Sequence, residues 1–154
     1  MHYLIGHNDV VARFVAAHIP HCERGFGDKI MTLGVVDGGR LIGGLVYHNY
    51  DPEASTIEIS GAAIDPRWLT RTTLRLMHVY PFVDARCQMV VMRVSADNAR
   101  LLRQLKALGY KRVTVERLFG RDRDGVVATL TDDAWKANPI FHLPPVKIHQ
   151  KAAA

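Results

Sequence analysis

The spacing of apolar residues switches repeatedly between two periods along this chain, and each switch marks a predicted element. A short apolar run, Tyr3-Leu4-Ile5, precedes a polar pair, Asn8-Asp9. Val10, Val11, Phe14, Val15 and Ile19 then recur at helical spacing as far as Pro20. Residues 20–28 carry Gly25 and Gly27 and predict a loop. Residues 30–36 read as a strand, and residues 41–47 as its hairpin partner. Asp37-Gly38-Gly39 between them predicts the turn, because glycine accepts positive φ without strain. After a turn at 51–55, residues 56–65 predict a strand rich in β-branched side chains, narrowing to Gly61-Ala62-Ala63 and stopped by Pro66.

The second half repeats the alternation. Leu69, Leu76, Met77 and Tyr80 share a helical face that Pro81 should end. Residues 88–94 are almost continuously apolar, as expected of a strand covered on both faces. Leu101, Leu102, Leu105 and Leu108 form one apolar stripe, with Asp97 or Ser95 as the expected cap and Gly109 as the left-handed terminator. Strands at 112–119 and 126–130, joined by a polar loop at 121–125, lead to a short helix at 132–137. Pro139, Pro144 and Pro145 then block regular structure. The predicted organisation is one domain over residues 1–138 and an extended tail over 139–154. The order β-α-β-β-β-α-β-α-β-β predicts an α/β (α+β) domain, a mixed sheet with helices on both faces.

Composition narrows the class. A chain of 154 residues, 48% hydrophobic and 23% charged, suits one folded domain with a real core. No apolar run approaches the roughly 20 residues needed to span a bilayer, so no membrane partner is expected. The start, Met1-His-Tyr-Leu-Ile-Gly-His-Asn8, has neither the basic n-region nor the long apolar stretch of a secretion signal, and a cytoplasmic location is expected. Cys22 and Cys87 lie far apart and predict reduced thiols. The net charge of +5 favours acidic partners, either nucleic acid or a phosphate-bearing cofactor. The basic residues are scattered, however, as in Lys111-Arg112, and also fit a merely solvated surface. His18-x-x-His21-Cys22 is the tight His/Cys cluster; Pro20 disrupts its spacing, no second ligand pair follows, and no metal site is predicted.

Two stretches carry a resemblance. Asn98 at a helix start with Leu108-Gly109-Tyr110 at its end, and the strand Glu58-Ile-Ser-Gly-Ala-Ala-Ile64, resemble the acetyl-CoA-binding core of the GNAT (Gcn5-related N-acetyltransferase) superfamily. The resemblance covers residues 1–135 in element order, with its specific motifs between 56 and 110. It implies the GNAT fold, acetyl-CoA as cofactor, and transfer of an acetyl group to an amine of a small molecule or a protein. Residues Ala62, Ala63 and Ile64 would run beside the pantetheine arm, and Asn98 would bond that arm or the sheet; as plain chemistry, Asn98 could equally bond its own helix. The pyrophosphate loop of the family reads Arg/Gln-x-x-Gly-x-Gly/Ala. Here it would be Arg67-x-x-Thr70-Arg71-Thr72, with threonines where the family has glycines, at a helix start that suits an anion; the other reading is a plain helix cap at Thr70 beside a packed Trp68.

Glu58 is a carboxylate in an apolar strand, on one face with Ser60, Ala62 and Ile64. The resemblance implies that it is the general base; an edge position facing solvent, or a pairing with an arginine, is the other reading. Many relatives carry a tyrosine acid seven positions after the asparagine, and here that position is Leu105. His78, Tyr80, Tyr110 or water are the candidate replacements. His48-Asn49-Tyr50 could line an acceptor pocket or simply end a strand. The loops at 20–28 and 119–125 would set the acceptor. More narrowly, Ile64-Asp-Pro-x-Trp68-x-Thr70-Arg71 and Tyr80-Pro-Phe82 are similar to small GNAT-like proteins of bacteriophages and prophages. That likeness admits two alternatives, a binding or virion-associated protein without catalysis and a Mom-like protein that modifies nucleic acid.

Overall fold

A computed structural model describes residues 1–20 and 22–144. It places seven strands in one sheet: β1 (His2–Ile5), β2 (Met31–Asp37), β3 (Arg40–Asp51), β4 (Thr56–Ala63), β5 (Met89–Ser95), β6 (Lys111–Val115) and β7 (Gly125–Thr131), in the order β1-β2-β3-β4-β5-β7-β6. Helices α1 (Asn8–His18), α2 (Arg71–Val79), α3 (Ala99–Ala107) and α4 (Asp132–Ala137) connect them. Every neighbouring pair is antiparallel except β4 and β5, which run parallel. A parallel pair needs a crossover, and α2 supplies it. The expected mixed α/β architecture is thus the observed one.

Two glycines show why helical elements sit on both faces. Successive side chains on a strand point to opposite faces. A Cβ on Gly44 would meet Val11 at 2.9 Å, whereas one on the adjacent Gly43 would meet the Trp68 ring at 2.8 Å. Helix α1 is therefore seated on one face, where Val11, Val15 and Val46 form a small core. Trp68 is seated on the other. There a larger core joins Leu74 and Met77 of α2, Leu105 and Leu108, Trp135 of α4, and strand residues such as Leu45, Val90 and Leu130.

Several boundaries differ from expectation for identifiable reasons. The cap of α3 is Asn98, whose Oδ1 accepts from the Leu101 N–H at 3.2 Å, rather than Asp97 or Ser95. Pro81 does not end the helix before it. The chain widens into a π turn, Tyr80–Asp84, closed by the Ala85 N–H donating to the Tyr80 carbonyl. Strand β6 stops at Val115, short of 119, because Arg117 turns left-handed (φ 59°) and its N–H is captured by Asp124. Chain order after Asn138 persists for a turn, Pro139–Phe141, and Phe141 is buried against the His78 ring. Residues 145–154 of the expected tail, and His21 of the His/Cys cluster, lie outside the described residues. Among the described residues, no helix is long and apolar enough to cross a membrane, and no group of three or more His, Cys, Asp or Glu could hold a metal ion.

Candidate active site

Strands β4 and β5 pair through only Thr56↔Met89, Ile57↔Val90 and Glu58↔Val91. Beyond Glu58, β4 follows β3 to Ala63 while β5 follows β7 to Ser95. The strands part, and a cleft of about 1100 Å³ opens between them. Ser60 to Ile64 line one wall, and Met92 to Ser95 with Asn98, Leu101 and Leu105 line the other. Leu74 and Met77 of α2 also line it. Cys22 to Phe26 and the pair Phe119 and Arg123 stand at its border, within the two loops expected to set an acceptor.

The structure brings some of the sequence-predicted residues together here and leaves others outside. Ala62, Ala63, Ile64, Asn98 and Glu58 line the cleft. Gly61 does too, but its missing side chain makes room for Leu45, whose Cδ2 would lie 2.6 Å from a Cβ there. Arg67, Thr70, Arg71 and Thr72 do not line the cleft. The Arg67 guanidinium is bidentate to Asp65 and also reaches Asp37 at 3.2 Å, tying the loop to the β2–β3 turn. Hydrogen bonds from Arg67 hold the Asp65 carboxyl down at about 2. The Thr70 hydroxyl caps α2 by accepting from the Thr73 N–H at 3.1 Å, and it shares a network with Thr73 and the Tyr3 hydroxyl. Its hydroxyl is thus committed to anchoring β1 on α2. Arg71 is exposed at the helix start, and the N–H groups of Arg71 and Thr72, in the first turn, have no helical acceptor.

A polar cluster sits at the vertex where the strands separate. Glu58 and His48 face one another across β3 and β4. The Glu58 side chain is 11% exposed. Arg93 Nε donates to Glu58 Oε1 at 2.8 Å, and Asn49 Nδ2 donates to Oε2 at 2.9 Å. Asn49 reaches it because the register of β3 shifts between His48 and Asp51, a bulge in which Asn49 is left-handed (φ 50°). His48 is buried, with Nε2 2.8 Å from Ser60 Oγ and 3.9 Å from Glu58 Oε1, and its ring is covered by Phe26. Burial pushes the His48 imidazole below its ordinary pKa; Glu58 pulls it back up and Arg93 opposes that. Glu58 is therefore paired with an arginine, as one sequence reading allowed, inside a cleft rather than at a solvated edge. The contact of Arg93 with Glu58 is not apparent from sequence, since the strand pairing creates it, and neither is that of Asn49, which the bulge delivers.

Similarity to known proteins enters through shape. No family model and no curated protein matches the sequence. Among solved structures, a chimera built on the spermidine N-acetyltransferase SpeG of Vibrio cholerae superposes with a TM-score of 0.70 at 12% identity, covering 88% of this chain and 99% of that one. A proposed acetyltransferase from T. thermophilus gives 0.64 at 21%, over 75% of this chain. The ribosomal-protein-S5-alanine acetyltransferase of Vibrio fischeri gives 0.60 at 16%, over 69%. This chain spans only 65% and 63% of the length of the last two. The fold is the GNAT acetyltransferase fold.

The position where the resemblance implies a tyrosine acid holds Leu105, and none of the three side chains named as substitutes lines the cleft. Leu105 is buried in the cleft wall. The three candidate side chains, His78, Tyr80 and Tyr110, all lie outside the lining. His78 is fully buried in the core, with Nδ1 2.8 Å from the Leu74 carbonyl and Nε2 2.7 Å from the Tyr110 hydroxyl. Burial lowers His78 to about 4 and raises Tyr110 far above its ordinary range. Tyr80 packs on Tyr47.

Proposed function

We propose that this chain is an acetyl-CoA-dependent N-acetyltransferase. The observation that carries the reading is the parting of β4 and β5 after three residue pairs in a GNAT fold. The facing edges of the two strands carry backbone N–H and C=O groups that no neighbouring strand uses, so an amide-bearing arm can pair there as an added strand would. The residues fit the cofactor at its other end as well. The free N–H groups of Arg71 and Thr72 at the start of α2, with the Arg71 side chain, offer an anion site for a pyrophosphate. Thr70 contributes no hydroxyl, since that group is spent on the cap. Bound in the cleft, acetyl-CoA would supply the activated thioester. The chain itself would hold the arm along β4 near Ala62 and Ala63, and would present the Glu58 cluster to an amine arriving past the 20–28 loop.

The acceptor is an amine, on a small molecule or a protein. Two solved neighbours, by name, act on spermidine and on a ribosomal-protein alanine, so a polyamine and an alanine-terminated peptide are the first acceptors to try. The free thiols and the need for acetyl-CoA suit a cytoplasmic enzyme, and the phage-like motifs suit a host cytoplasm. The threonines in the pyrophosphate loop favour the competing reading, a GNAT-fold binding protein that has lost its cofactor. Thermal unfolding separates them. Acetyl-CoA at about 100 times its dissociation constant should add about 2.7 kcal/mol of stability. Arg71→Ala should weaken that stabilisation. An unfolding curve indifferent to millimolar acetyl-CoA sinks the enzyme reading.

A further inference from the structure

Two groups at the vertex of the cleft could take a proton from an amine, Glu58 and His48. Glu58 is the expected base, yet each of its oxygens already accepts a hydrogen bond, from Arg93 and from Asn49. The Asn49 bond is made by a residue in a left-handed conformation at a bulge, so the backbone holds an unusual shape that delivers this donor. Each oxygen keeps a further lone pair, but Arg93 and Asn49 fix the carboxylate in place and its charge already faces a guanidinium. His48 differs. Its Nε2 meets one hydrogen-bond partner, the Ser60 hydroxyl at 2.8 Å, and both residues line the cleft. Ser60 follows Glu58 on the same face of β4, one step further into the cleft.

We propose that an acceptor ammonium is deprotonated through a Ser60–His48 relay, with Glu58 acting as the counter-ion of the imidazole rather than as the base. This rests on the acetyltransferase reading, which brings the amine to the cleft. One ammonium N–H bond breaks and its proton joins Ser60 Oγ, while the Ser60 hydroxyl proton passes to His48 Nε2. The amine is left neutral with a free lone pair. The charge gained by the ring is met by the Glu58 carboxylate 3.9 Å away. The surroundings of the ring suit this cycle. Glu58 on β4 favours the imidazolium, Arg93 on β5 and burial disfavour it, and the 20–28 loop covers the ring with Phe26 and lines the same cleft with Glu23 and Arg24. The ring therefore waits neutral and is charged only in passing.

The relay requires a particular tautomer, with Nε2 bare and the proton on Nδ1. Imidazole ¹⁵N NMR of the full chain between pH 4.5 and 8 reads it directly. The expected spectrum shows His48 neutral at pH 7 with an unprotonated Nε2. Glu58→Gln should move its midpoint lower and Arg93→Gln should move it higher. A neutral His48 protonated on Nε2, or a midpoint unmoved by Glu58→Gln, overturns the relay. The same samples are then unfolded with and without acetyl-CoA. Stabilisation with the wrong tautomer removes the relay and leaves acetyl transfer standing; no stabilisation removes acetyl transfer and the relay with it.

Discussion

His48 and His78 make a natural comparison, since both are almost fully buried and burial lowers the pKa of both. What separates them is the second ring nitrogen. His78 has both engaged, one on the Leu74 carbonyl and one on the Tyr110 hydroxyl, and aromatic rings of Phe82 and Phe141 stand around it. It joins α2 to the strand side of the core and lies off the cleft. Among the described residues His48 has a hydrogen bond at Nε2 alone, to a serine that borders open space, and a carboxylate close behind. Burial alone does not distinguish a structural histidine from a working one. What each ring nitrogen touches, a core carbonyl and hydroxyl for His78 and a cleft-lining serine for His48, is the difference between them.

The largest expected effect breaks the pair by truncation. His78→Ala removes a buried ring and orphans the Tyr110 hydroxyl, and should cost about 4 kcal/mol in urea unfolding, the range of buried aromatic-to-alanine changes. His48→Ala should cost less than half of that, because water from the cleft can fill the space. Equal losses would erase the distinction between the two sites.

A pH titration of stability sharpens it. The folded pKa of His78, about 4, lies below the ordinary value of 6.5. The unfolded chain therefore binds the proton first. The stability that His78 contributes is complete above pH 6.5 and is lost as pH falls from 6.5 to about 4, by about 3 kcal/mol in all. His78→Phe should remove most of that slope, and a small remainder should belong to His48, whose pKa is also lowered. A slope unchanged in His78→Phe would place the acid sensitivity elsewhere.

The smallest effect tests the Glu58 clamp. Asn49→Gly relieves a left-handed residue of its Cβ while losing one hydrogen bond to Glu58, so the two changes offset and stability should move by less than about 1 kcal/mol. A larger loss would show that the bulge holds the strand pair together rather than merely aiming a side chain.

These contrasts also show what the sequence can reveal. The α3 stripe and the glycine after it are legible because one helix writes its own period, and Gly109 does adopt φ 90°. The hairpin at Asp37-Gly38-Gly39 is legible for the same local reason. Glu58 stands out as a lone charge in an apolar strand. Its partners do not, because Asn49 arrives through a bulge and Arg93 through a parallel neighbour 35 residues away in sequence. Thr70 reads from sequence as a cofactor ligand or as a plain helix cap, and its hydroxyl is the cap. Its hydroxyl's neighbours, Tyr3 and Thr73, become visible only once β1 is placed beside α2. The turn through Pro81 escapes a sequence reading because the usual helix-breaking rule does not anticipate a π widening.

The short seam between β4 and β5 has a mechanical consequence. One panel of the sheet, β1 to β4, and the other, β5 to β7, share a ladder of just three residue pairs. Their union therefore draws also on the Arg93–Glu58 bond across the seam and on the core that Leu74, Met77 and Leu105 share with strands of both panels. Whatever lies along the open edges lengthens that seam, so filling the cleft should make the two panels melt as one body. Occupancy would then be felt as cooperativity across the whole sheet, including strands such as β6 that never approach the cleft.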